Sequence, residues 1–266
     1  MGEIKSDYAI DIKNATVCLK QKEILHNINW KIKRGEKFFI LGANGAGKTT
    51  LVRTILGYVW ALQGANVEVL GEKLGRVDLN ELRKKIAWVS PFIQKHLKAS
   101  DIGVDTVLSG KEGSLGFGRQ ATNDELEEVK KLLISLDALH LANKSICEMS
   151  SGEQMKILIA RALILNPELM ILDEPNVFLD IKERELFLKN LKNLLKNYPE
   201  LTVIFISQRV EDILPEFTKG MILKNGEIIF SGTKDEVLTE ENLKHVFGLN
   251  IKLIKTDNGR LWSVIE

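Results

Sequence analysis

Cysteine is scarce in this chain: Cys18 and Cys147 are the two in 266 residues. They lie far apart and match no metal-ligand spacing, so they read as reduced thiols of a cytosolic protein rather than a disulfide framework. The four histidines, His26, His96, His140 and His245, are scattered, and no pair has zinc-site spacing. An excess of one charge is missing as well. Lys and Arg total 37 against 36 Asp and Glu, a net charge of +1, which gives no bulk electrostatic case for nucleic acid. No run approaches the roughly 20 apolar residues of a spanning helix. Met1 to Lys13 is too polar for a signal peptide. No direct membrane insertion is expected, and any membrane role must come through a partner. Internal repeats and low-complexity segments are also lacking. What is present is 44% hydrophobic residues, ample for a sizeable core in one large domain or two closely joined ones.

Patterning along the chain predicts the elements. Ile10 to Ile32 alternates loosely and breaks at Lys20–Glu23, which predicts two antiparallel strands. Lys37 to Leu41 reads as a short apolar strand and Lys48 to Leu56 as a helix closed by Gly57. Gly110, Gly113, Gly116 and Gly118 predict a flexible stretch. A helix follows, with Leu126, Val129, Leu132, Leu133 and Leu136 on one face and Asn123 as its cap. Gly152 to Leu165 reads as a largely buried helix stopped by Asn166–Pro167. Leu169 to Leu172 and Leu201 to Ile206 read as buried strands, and Ile181 to Asn197 as an amphipathic helix. Asn225–Gly226 at the centre of Met221 to Phe230 is a strong hairpin signal, and Asp257-Asn258-Gly259 suggests a smaller one. Strands alternating with helices predict an α/β fold with a mainly parallel sheet, N-terminal antiparallel strands and an inserted helical subdomain. The expected layout is a core at 1–95 and 151–240, a helical insert at 96–150 and a tail at 241–266.

Two stretches carry chemistry. Gly42-Ala43-Asn44-Gly45-Ala46-Gly47-Lys48-Thr49 fits the phosphate-loop pattern, after a predicted strand and opening a helix that continues through Thr50. Glycines let backbone N–H groups curl around phosphate oxygens, and the helix N-terminus adds partial positive charge. Lys48 is placed for the β and γ phosphates and Thr49 for Mg²⁺. The bland alternative is a glycine-rich turn with an incidental lysine. Leu169 to Leu172 runs into Asp173-Glu174-Pro175, and strand ends of open α/β sheets are where ligands bind. Asp173 is placed to hold Mg²⁺, directly or through water. Glu174 is placed to act on the attacking water, as general base or positioning group. Alternatively the two acids cap a turn before Pro175.

Met149-Ser150-Ser151-Gly152-Glu153-Gln154 precedes a helix containing Ala160-Arg161-Ala162-Leu163, with the acidic strand just beyond. This resembles the signature of ATP-binding cassette proteins, commonly Leu-Ser-Gly-Gly-Gln. Met149 stands for the Leu, Ser151 for the first Gly and Glu153 for the Gln. Glu174-Pro175 through Leu179-Asp180 resembles the loop that follows the acidic strand in the family. The resemblance covers nearly the whole chain. It implies an ATPase that binds ATP and Mg²⁺ and pairs with a second ATPase subunit, here another copy. In the family the ATP of one subunit faces the signature of the other, a role carried over to Ser150, Ser151, Gly152 and Glu153, with Asp180 nearby. Read as plain structure, Ser150 or Ser151 is simply the cap of a helix. The resemblance also implies transmembrane permease partners and a peripheral place at the inner face of the cell membrane. The glycine-rich insert and the tail Thr233 to Leu249 look most like ATPases of metal-chelate, cobalamin and molybdate importers.

The chain departs from the family pattern at three positions. Gln208 stands where the family has a histidine contacting the γ-phosphate; an amide donates a hydrogen bond but never becomes a cation. Gln208 either weakens hydrolysis or fills the role adequately. Pro91 follows Ser90 where the family has a Mg²⁺-sensing glutamine; that role is assigned to Gln94, three residues on, unless Gln94 is an ordinary loop residue. Where an aromatic usually stacks on adenine, this chain has Leu19, which is either an apolar base contact or core.

Overall fold

The structure, a computed structural model, describes residues 6–113 and 115–266. Ser114 in the glycine-rich stretch, and the first five residues of the polar N-terminal segment, lie outside them. In chain order the strands are β1 (Tyr8–Leu19), β2 (Lys22–Lys33), β3 (Lys37–Leu41), β4 (Asn66–Val69), β5 (Glu72–Lys73), β6 (Ile86–Val89), β7 (Leu169–Asp173), β8 (Thr202–Ser207), β9 (Lys219–Lys224), β10 (Glu227–Thr233), β11 (Ile251–Lys255) and β12 (Leu261–Ile265). The helices are α1 (Lys48–Ile55), α2 (Leu79–Lys84), α3 (Pro91–Lys95), α4 (Gly103–Glu112), α5 (Asn123–Ser135), α6 (Ser151–Leu163), α7 (Ile181–Asn197), α8 (Lys234–Val237) and α9 (Glu240–Phe247). The chain forms two compact units. One runs to Arg83 and resumes over Glu200–Glu266; the other is Lys84–Pro199.

In the first unit β1 and β2 pair antiparallel, with Leu19 opposite Lys22. Lys20 and Gln21 between them both have positive φ, 49° and 65°. That is the backbone a two-residue hairpin turn needs to match strand twist, made here without glycine. β1 also pairs antiparallel with β4. β3 is the centre of a second layer, parallel to β8 on one side and to β9 on the other. Phe39 sits opposite Phe205 on β8 and Gly220 on β9. A Cβ on Gly220 would lie 2.3 Å from the Phe39 ring, so the aromatic occupies the space that glycine leaves. β8 is buried along its whole length, as its unbroken apolar run requires of a strand covered on both faces. β9 and β10 form the hairpin predicted from Asn225–Gly226, whose φ values are 50° and 80°. β11 and β12 form the tail hairpin around Asp257-Asn258-Gly259.

In the second unit β6 and β7 pair parallel. Its helices enclose an apolar cluster that includes Val107, Leu108, Val129, Leu133, Leu141 and Ile157. Three readings of this region need correction. α5 is capped by Thr122, not Asn123. The Thr122 hydroxyl accepts the Glu125 N–H at 3.3 Å, and the Glu125 carboxylate accepts the Thr122 N–H at 3.0 Å. That reciprocal pair satisfies two helix-end donors, which Asn123 alone would not. Leu126 is exposed, and Val129 and Leu133 carry the buried stripe. Nor is the glycine-rich stretch uniformly loose. Gly110 lies inside α4, where a Cβ would meet the Arg161 carbonyl at 2.4 Å. It permits close approach of α4 to α6, and Arg161 Nε donates to the buried Ser109 hydroxyl at 3.0 Å.

Candidate active site

In the first unit β3 stops at Leu41 and α1 opens at Lys48, leaving Gly42 to Gly47 as the turn between them. Gly47 takes φ 105°, a conformation L side chains rarely adopt, and a Cβ there would lie 2.8 Å from Leu25. A Cβ on Gly42 would lie 2.5 Å from the Leu223 carbonyl. Both glycines therefore let the loop press onto β2 and β9. The Asn225–Gly226 turn backs it from outside, with Gly226 N–H donating to the Ala46 carbonyl at 2.9 Å. Asn44 and Gly45 stay exposed at the rim.

Lys48 is buried. Its Nζ donates to the Gly42 carbonyl at 2.7 Å and the Ala43 carbonyl at 2.8 Å, which holds the ammonium across the loop mouth. No side chain caps the N-terminus of α1, so its positive end is directed at the same space. Thr49 is exposed and Thr50 half-buried in that first turn. At the far end Gly57 N–H donates to the Thr54 carbonyl and Tyr58 N–H to the Arg53 carbonyl, the double C-terminal closure anticipated from Gly57. A cradle of this shape fits phosphate groups. Leu19 is half-buried at the end of β1, opposite Lys22.

Gln208, half-buried, follows β8 in the same unit. Its turn is held by two residues to which the sequence reading gave no role of their own. The buried Ser207 hydroxyl donates to Asp212 Oδ2 at 2.8 Å and accepts the Arg209 N–H at 3.0 Å. A serine and an aspartate five apart carry no sequence signal until the turn folds them together.

The second unit holds the remaining candidates. Asp173 is buried at the end of β7. Glu174, half-buried, has φ 52°. Such backbone in a non-glycine residue costs of order 1 kcal/mol and collects at functional sites. Asp180 caps α7, its Oδ1 accepting the Glu183 N–H at 2.8 Å.

Ser150 caps α6. Its hydroxyl accepts the Glu153 N–H at 3.2 Å, and Glu153 Oε2 accepts the Ser150 N–H at 2.9 Å and Lys144 Nζ at 2.7 Å. Burial pushes the Glu153 carboxyl up, but the bonds from Lys144 and the Ser150 N–H outweigh it and hold the group below its ordinary value. Ser151 and Gly152 form the first turn, and a Cβ on Gly152 would come no nearer than 3.4 Å to Glu183. Gln94, on α3, donates from Nε2 to the Ser151 carbonyl at 3.3 Å and to Gln154 Oε1 at 3.1 Å. The second unit thus joins Gln94 to the start of the signature helix. Among the described residues no group of three or more His, Cys, Asp or Glu is gathered to hold a metal ion. No helix among them is long and apolar enough to cross a membrane.

Residues 25–177 match the family model for the ABC transporter. The chain is 38% identical over 236 residues to the uncharacterized ABC transporter ATP-binding protein YmeB of Lactococcus lactis, covering 88% of this chain and 90% of YmeB. It is 28% identical over 235 residues to the energy-coupling factor transporter ATP-binding protein EcfA2 of Clostridium acetobutylicum, covering 87% and 80%. It is 27% identical over 248 residues to the manganese transport system ATP-binding protein MntB of Bacillus subtilis, covering 93% and 96%. In fold it is similar to cbiO1 of Clostridium perfringens, part of the ABC transporter complex cbiONQ (TM-score 0.77, 23% identity, covering 90% and 94%). It is also similar to the ATP-binding cassette MJ0796 in a dimeric post-hydrolysis state bound to ADP and Pi (TM-score 0.71, 25% identity, covering 84% and 98%). A match over more than half the chain, with phosphate loop, signature and acidic strand in family order, makes this chain a member of the ABC transporter family, the subunit that binds and hydrolyses ATP.

Proposed function

We propose that two copies of this chain close on ATP and drive separately encoded permease subunits in the import direction, from the inner face of the cell membrane. The observation that carries this reading is the loop from Gly42 to Thr50, with Lys48 held across its mouth by two carbonyls. Import is the direction of the metal-chelate, cobalamin and molybdate group that the sequence resembles. Each ATP lies between the loop of one copy and Ser150, Ser151, Gly152 and Asp180 of the other, with Leu19 as an apolar neighbour of the base. Glu153 acts by fixing the Ser150 cap. Mg²⁺, when bound with the nucleotide, would neutralise phosphate charge, and the family resemblance assigns Thr49, Asp173 and Gln94 as the residues that would supply its oxygen ligands. Glu174 accepts a proton from the attacking water or orients it. Gln94, bonded to the start of α6, reports on the site to the rest of its unit.

The insert at 96–150 is the docking surface for the permease. A cysteine placed at Phe117 should cross-link to a membrane-embedded partner that copurifies with the chain. Ser114, the other position suited to this by sequence, lies outside the described residues. Cross-links confined to soluble proteins would favour a soluble, non-transport ATPase.

Gln208 donates an amide N–H to the γ-phosphate. A histidine there would add a charge-assisted bond, roughly twice as strong as a neutral one. Gln208→His should raise turnover by about 10-fold, equivalent to about 1.4 kcal/mol of barrier, with ATP affinity nearly unchanged. Gln208→Ala leaves no donor and should lower it. Single-turnover hydrolysis on the three proteins reads the order. A slower histidine variant would mean that the site is built around the amide.

A further inference from the structure

In the first unit the turn carrying Gln208 is fixed from two directions. From within, Ser207 Oγ accepts the Arg209 N–H and donates to Asp212 Oδ2, so one hydroxyl brackets Gln208 on both sides. A short 3₁₀ turn, Val210–Asp212, closes the segment, with Ile213 N–H on the Val210 carbonyl at 3.0 Å. From outside, the tail hairpin reaches the same turn. Arg260, just before β12, is almost wholly buried. Its guanidinium donates twice to one acceptor, the Glu211 carbonyl, at 2.7 Å from Nη2 and 3.2 Å from Nε. The Trp262 ring lies 5.3 Å from the guanidinium carbon, and Ser263 Oγ meets the Glu211 carboxylate at 3.4 Å.

The choice of acceptor is informative. An arginine that merely fastened the hairpin to the unit could use any carbonyl along the sheet. This one takes the carbonyl of the peptide that joins Glu211 to Asp212, the residue whose carboxylate anchors Ser207. Rotation of that peptide swings Asp212, and through Ser207 Oγ the movement passes to the residues on either side of Gln208. A buried guanidinium with two donors on one oxygen resists that rotation more than a neutral contact would.

We propose that Arg260 is a positioning residue for ATP hydrolysis: by clamping the Glu211 carbonyl, the C-terminal hairpin holds the turn that aims Gln208. The inference rests on Gln208 donating to the γ-phosphate, and it assigns the tail a share in turnover without any contact to nucleotide. A donor held in place costs no reorganisation at the moment of reaction, whereas a loose donor must first be ordered.

The test is a cycle of variants, Arg260→Ala, Gln208→Ala and the two combined, with kcat, KM for ATP and melting temperature measured for each. Arg260→Ala should lower kcat about fivefold and leave KM within about twofold, the range expected of residues that couple to a site without touching it. Combined with Gln208→Ala it should add nothing, because the donor that it aims is gone. Arg260→Lys keeps the charge but not the two-pronged fork, so it should restore part of the rate; it carries the same cycle if the alanine variant does not fold. Losses that multiply in the double variant, or an unchanged kcat, would overturn the proposal. A Gln208→Ala enzyme as fast as wild type would instead remove Gln208 from the mechanism, so the two failures are distinguishable.

Discussion

Replacing Glu174 with glutamine should leave ATP bound and stop its hydrolysis. The amide matches the carboxylate in shape, so the half-buried position after β7 keeps its packing. It neither accepts a proton nor carries the charge that polarises water, and general-base groups are worth about 10²–10⁴-fold in rate. Phosphate release should fall by at least about 10²-fold. The backbone helps to separate chemistry from folding. Glu174 sits at φ 52°, and glutamine bears that conformation no better and no worse than glutamate, so the melting temperature should not move. Trapped ATP should then hold two copies together, and size-exclusion chromatography should show a dimer with ATP and a smaller species without it. Hydrolysis at the wild-type rate would take Glu174 out of the mechanism. A monomer that persists with ATP at high protein concentration would count against closure of two copies on nucleotide.

Lys48→Ala should abolish tight ATP binding. The side chain does two things at once. Its ammonium is the cation nearest the loop mouth on α1, and its bonds to the Gly42 and Ala43 carbonyls tie the loop to the helix it opens. Hydrogen bonds to charged groups contribute about 1.5–3 kcal/mol each, so losing the phosphate contact should weaken affinity by about 10–100-fold, and slackening of the loop adds to that. Nucleotide titration with Mg²⁺ present measures the change. An affinity equal to wild type would refute the phosphate-loop assignment. Lys48 is buried, so the variant's melting temperature without nucleotide should be recorded alongside, to separate loss of binding from loss of fold.

These two residues were legible in the sequence because their signals are local. A glycine pattern between a strand and a helix, and two acids at the end of an apolar run, are fixed by spacing alone. The same holds for the Asn225–Gly226 hairpin, whose positive φ values both residue types tolerate, and for α7, whose apolar period set its bounds at Ile181 and Asn197. What escaped depends on contacts remote in sequence. Gly110 reads as flexible until Arg161 is seen packed against it. α2 and α3 are too short, over Leu79–Lys84 and Pro91–Lys95, to show a helical period. Leu126 follows the apolar spacing of α5 yet points outward, because Val129 and Leu133 already fill the cluster. Ser207, Asp212 and Arg260 are unremarkable as letters. They acquire a role only when β8 and the tail hairpin place them around one turn.

The pairing of β3 bears on how this protein is made. Both neighbours of β3, β8 and β9, are encoded after residue 200, and the hydrogen bond from Gly35 N–H to Thr202 Oγ1 spans 167 residues of sequence. At ribosomal rates of roughly 5–20 residues per second, the strand that presents the phosphate loop waits on the order of ten seconds or more for its partners to emerge. Lys84–Pro199 is complete before then, and it can bury its own apolar cluster in the interval. The inserted stretch is thus synthesised in full before β3 meets either neighbour, and the native frame of the phosphate loop has to wait for β8 and β9 to emerge.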